Sequence, residues 1–174
     1  MNRFTRTILL AAFAATALTA CGPSDEEKQK AAAEAAAAEA RKPVPMPTNP
    51  ADTAAWKNYL GRVVMNNMQG VKTNTPFMYF VPAGDSADLE DQRRNQLDNV
   101  SGTVARGVLP GNMMAFGGPD SKTTADLVVE SFKDAQAGSF KDVVVLFIGA
   151  PGDVDAIKQA LASSGAEVRF VEAK

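Results

Sequence analysis

"VVVLFI", residues 143–148, is the stretch on which the fold turns. Six apolar residues, three of them valine, are followed at once by "GAPGD". The run is too short for a buried helix, and its β-branched content favours a strand. With both faces apolar, the strand belongs inside a parallel sheet covered on both sides. The chain on either side of it is helical in period. Leu127, Val128, Ser131, Phe132 and Ala135 precede it, and Val154, Ile157 and Leu161 follow it, each set spaced for one helix face. Further out lie three more short runs: "FMYFV" at 77–81, "NMMAF" at 112–116 and "EVRFV" at 167–171. Leu89, Arg93, Leu97, Val100 and Val104 mark a helix between the first two. "ADTAAWKNYLGRVVMNNM" (51–68) opens the series with a helix whose stripe holds Trp56, Tyr59 and Val63. Gly107, Gly138 and Gly165 fall near helix C-termini, where the left-handed cap favours glycine.

Helices and strands therefore alternate, four of each, which predicts an α/β fold. The expected domain is small and three-layered, with a four-stranded, mostly parallel sheet between helices. "FMYFV" and "VVVLFI" are the most apolar strands and are expected at the centre. That placement gives the strand order 2-1-3-4.

The first 49 residues read differently. "MNRFTRTILLAAFAATALTAC" has a basic start, Arg3 and Arg6, then a short apolar stretch from Ile8 to Leu18. About 11 residues rise only about 16 Å as a helix, against the roughly 30 Å of a bilayer core, so a cleaved signal fits better than a spanning helix. Leu18, Thr19, Ala20 and Cys21 resemble the lipobox of bacterial lipoproteins. The resemblance covers residues 1–22. It implies cleavage before Cys21, a lipid on its sulfur and an acyl chain on its new amino group. Gly22, where that family uses Asp for inner-membrane retention, implies the periplasmic face of the outer membrane. Cys21 is the only cysteine, so no intrachain disulfide or thiolate metal cluster forms.

Behind Cys21, "SDEEKQKAAAEAAAAEARK" is rich in strong helix formers, and Ser24 with Glu27 fits a capping box. "PVPMPTNP" then ends the helix in an extended path. The expected organisation is a signal peptide at 1–20, a lipidated tether at 21–49 and one α/β domain at 50–174.

Composition narrows the chemistry. Histidine is absent, which removes histidine-based triads and the usual imidazole zinc sites. From residue 50 onward there are 12 Lys and Arg against 15 Asp and Glu, a net −3 that disfavours nucleic acid. The pair Arg93–Arg94 is expected on a solvated helix face, and most methionines in the core.

In an open parallel sheet, ligands bind beyond the carboxyl ends of the strands. Three loops leave those ends: "PAGDSADLED", "GGPDSKTTAD" and "GAPGDVDA". They place Asp85, Asp88, Asp120, Ser121, Lys122, Thr123, Asp153 and Asp155 on one expected rim, which is the candidate ligand site. Oxygen ligands there suit a divalent cation, but Asp and Ser are also favoured helix N-caps. "FGGPDSKTT" (116–124) partly matches a phosphate loop. Ser121 stands where that motif has a glycine before Lys122, and the lipobox resemblance implies a place outside the cytoplasm, where nucleoside triphosphates are not normally supplied, so nucleotide binding is not expected.

The leading expectation is an envelope lipoprotein, held to the membrane through acyl chains on Cys21, that contacts another envelope protein and carries no cofactor. The alternatives are a small-ligand or divalent-metal module at the Asp-rich rim, an immunity or inhibitor lipoprotein, and a hydrolase using carboxylates.

Overall fold

A computed structural model describes residues 28–30, 42 and 44–174. Residues 28–30 are helical. The lipobox, Cys21 and most of the expected tether lie outside the described residues. Among the described residues no helix is long and apolar enough to cross a membrane.

The unit Ala37–Lys174 carries the sheet. Helix α1 (Thr53–Asn66) leads to β1 (Phe77–Phe80), and α2 (Ala87–Arg106) connects it to β2 (Met113–Gly117). Helix α3 (Ser121–Phe132) leads to β3 (Val144–Gly149). A short 3-10 turn and α4 (Val154–Leu161) then reach β4 (Glu167–Glu172). All three strand pairings are parallel. The α/β class and every expected strand are present, each within one residue of its expected bounds.

The strand order is β1-β2-β3-β4, not 2-1-3-4. "FMYFV" is therefore an edge strand, with Phe77 42% and Met78 40% exposed. The centre goes instead to "MMAFG", buried at every position. Its small residues are what let a helix close on it. A Cβ on Gly117 would stand 2.4 Å from Leu60 Cδ2 of α1.

The order dictates the layers. When every crossover steps the same way with the same hand, the connecting helices all fall on one face. One core cluster joins Tyr79, Met114, Phe116, Val145 and Phe147 to Val100 and Val104 of α2, Val128 and Phe132 of α3, and Ile157 and Leu161 of α4. Tyr79 stacks on Phe116 with ring centroids 5.0 Å apart. The opposite face carries Met113, Ala115, Val144, Leu146 and Ile148. It is covered by α1 through Trp56, Tyr59, Leu60 and Val64. Trp56 and Tyr59 are core residues in an edge-to-face pair at 5.8 Å. The Trp56 indole N–H donates to the Asn49 carbonyl (3.1 Å), so the aromatic anchor also ties down the approach to α1.

Candidate functional site

The carboxyl ends of the strands bring some of the expected rim residues together and leave others apart. Asp120 is the N-cap of α3, and its carboxylate accepts the Thr123 N–H at 2.6 Å. Thr124 Oγ1 donates to the Asp120 carbonyl at 2.8 Å. Hydrogen bonds from the Thr123 side chain and backbone hold the Asp120 carboxyl below the ordinary aspartate range. The positive charges of Arg93 and Lys122 add to that effect, while partial burial opposes it.

Ser121 does not face open solvent as a free hydroxyl. It donates to Asp153 Oδ2 at 2.5 Å and accepts the Ala150 N–H at 2.6 Å. Those two bonds tie the turn after β2 to the turn after β3. Lys122 pairs with Asp126 one helical turn along, so it is turned to the helix flank. Asp85, Asp88 and Asp155 are exposed and carry no side-chain hydrogen bond or ion pair among the described residues. Among the described residues no three acidic side chains converge on a point that suits a metal ion.

The glycines of "FGGPDSKTT" serve packing. A Cβ on Gly118 would stand 2.0 Å from the Val81 carbonyl oxygen. A Cβ on Gly149 would stand 2.5 Å from Ser121 Oγ. A phosphate at a helix N-terminus needs free backbone N–H groups. Here the Asp120 carboxylate already occupies the Thr123 N–H, and the Asp120 carbonyl accepts from Thr124 N at 3.1 Å.

An open cavity of ≈ 200 Å³ does lie at this end, beside the turns after β2 and β3. Met46, Trp56, Gly118, Ala150 and Glu172 line it. Ser121 is the one expected rim residue in its wall, and none of the five expected aspartates lines it. The reason is topological. A ligand crevice opens where crossovers leave neighbouring strands towards opposite faces, and here the three crossover helices share one face.

Arg93 corrects a second expectation. Its guanidinium is half-buried and donates to the carbonyls of Pro82 (3.2 Å) and Gly84 (2.7 Å), closing the turn after β1. Arg94 is the solvated partner, paired with Asp91.

A second concavity, of ≈ 400 Å³, runs beside the open edge of β1. Thr53 and Lys57 of α1 stand on one side, and Gln92, Asn95, Gln96 and Asn99 of α2 on the other. Met78 and Phe80 form its floor. The four carboxamides recur at i, i+3, i+4 and i+7, one continuous row on α2. Their side chains make no hydrogen bond among the described residues. The sequence signal for this row was the amide spacing, which sits beside the apolar stripe that defined the helix.

Fold and clefts thus define a singly wound parallel α/β domain with an amide-lined edge. No protein-family model, curated protein or solved structure matches this chain.

Proposed function

We propose that this protein is a lipid-anchored module of a bacterial cell envelope that acts by contact rather than catalysis. The observation that carries the reading is Leu18-Thr19-Ala20-Cys21 behind a basic start and a short apolar stretch. Two or more acyl chains, at about 0.8 kcal/mol per buried methylene, hold such a protein to a bilayer. Gly22 favours the outer membrane in this reading, and the Ala-rich and Pro-rich segment sets the reach of the domain. The contact role is supported by how the rim is used. Asp120 caps α3, and Ser121 with Asp153 latches two turns, so these three hold structure.

The test of the anchor is Cys21→Ser with radiolabelled palmitate and membrane fractionation. The label and the membrane association should both be lost, and persistence of both refutes the lipobox reading. The contact role is tested by gentle solubilisation of native membranes. Recovery of the protein alone and monomeric under several conditions counts against it.

A further inference from the structure

The β1 edge lacks the charged side chains that the β4 edge carries. Exposed strand edges are templates for pairing, and native proteins blunt them with charge, proline or brevity. β4 carries Glu167, Arg169 and Glu172. β1, "FMYF", carries no charge.

Its hydrogen-bonding groups can be placed. The Val81 N–H donates to the Gly117 carbonyl at 2.9 Å. Bonding direction alternates along a strand, so Phe77 and Tyr79 also turn towards β2, and the N–H and C=O of Met78 and Phe80 face outward. Pro76 and Pro82 occupy the next outward positions and have no N–H. The edge is thereby confined to residues 78–80, a short slot that does not extend into an aggregating ribbon.

We propose that this cleft takes an extended peptide segment of another protein as a short fifth strand beside β1. The peptide backbone pairs with Met78 and Phe80, and its side chains alternate between the two walls. Those on the α1 side meet Met78 and the edge of Phe80 beneath the Lys57 stem, and are apolar. Those on the α2 side meet the amide row and are uncharged and polar, because Gln92, Asn95, Gln96 and Asn99 offer donors and acceptors without charge. A saccharide fits less well. Sugar rings stack on open aromatic faces, and Lys57 Nζ already lies over the Phe80 ring, 5.9 Å from its centroid. The inference rests on the contact role proposed above and not on the anchor.

The probe is a displayed library of random heptapeptides, panned on the full-length protein in detergent micelles. Enriched sequences should alternate apolar and uncharged polar residues. A synthetic representative should slow hydrogen exchange at the Met78 and Phe80 amides by about tenfold or more, as pairing of exposed amides does. Met78→Pro removes one outward N–H and should abolish binding. Gln96→Glu with Asn95→Asp keeps shape and solubility while removing amide donors, and should weaken binding about tenfold. Absence of enrichment, protection at other amides only, or equal protection by tri-N-acetylglucosamine overturns the proposal. In native-membrane co-purification, a partner retained by the double amide variant overturns the cleft and leaves the contact role standing. Wild-type protein that recovers no partner removes the contact role itself.

Discussion

Gly118→Ala separates a packing role for the glycine turn from a ligand role. The new Cβ would stand 2.0 Å from the Val81 oxygen and 3.1 Å from its carbonyl carbon. Both are backbone atoms, so no side chain can swing aside. Ordinary van der Waals separation requires the turn after β2 and the end of β1 to part by more than about 1 Å, which strains the Val81–Gly117 hydrogen bond between them. Gly118 has no left-handed φ, so the cost is steric. Overpacking costs about 1–3 kcal/mol and loss of one hydrogen bond about 1 kcal/mol, for a total of about 3 kcal/mol. For a domain of this size that lowers Tm by about 10 °C, read by circular dichroism without any ligand. Gly152→Ala is the matched control, since its Cβ meets nothing within 4 Å. A Gly118→Ala protein that melts within about 2 °C of wild type refutes the packing account and returns the turn to the ligand reading.

Other perturbations carry their own expectations. Ser121→Ala removes the bonds to Asp153 and Ala150 and should cost about 1.5–3 kcal/mol, with faster hydrogen exchange at the Ala150 amide. An unchanged Ala150 exchange rate would show that the latch does not hold in solution. Gly61→Ala lies inside α1, where the Cβ meets nothing within 4 Å, and should stabilise by about 0.5–1 kcal/mol in thermal melts. Asp120 has a folded pKa below its unfolded value. Its contribution is therefore fully present above the ordinary pKa of 3.8 and is lost as pH falls through the lower folded value. An Asp120→Asn protein should show a flatter stability curve on the acid side, and identical acid limbs for the two proteins contradict the cap assignment.

The strands were legible because apolar runs bounded by Gly and Pro have few other readings. Their order was not. Apolarity on both faces put "FMYFV" at the centre, yet Phe77 and Met78 spend it on an exposed edge. "NMMAF" reads as the less apolar strand, yet Ala115 in it and Gly117 just beyond it are small because α1 presses on them. Which strand neighbours which depends on helix packing across long sequence separations, and no local pattern encodes it. The three loops that hold the rim residues follow β1, β2 and β3, but whether they frame a crevice depends on strand order, and the cavity at this end is not lined by the aspartates. Arg93 counted as one more member of a helix stripe. Its hydrogen bonds to the turn after β1 had no local signature.

The helix that starts the sheet domain is held by the residues that end it. The Lys174 N–H donates to the Tyr59 hydroxyl at 3.1 Å across a separation of 115 residues, and Arg169 donates to the Asn67 carbonyl across 102. Each strand, by contrast, pairs with the next one in the chain. The β1-to-β4 pairings still span 37, 31 and 23 residues, as parallel strands joined by helices must. α1 itself packs on β1 and β3, so the two bonds to the last strand and its tail fasten a helix that the sheet already holds. Val171 and Ala173 extend the same apolar cluster at its margin, beside the face bearing Met113, Val144 and Leu146. Loss of the last ten residues would thus leave α1 on its apolar seat but take away both long-range bonds and the margin of that cluster, so that end of the domain would loosen first.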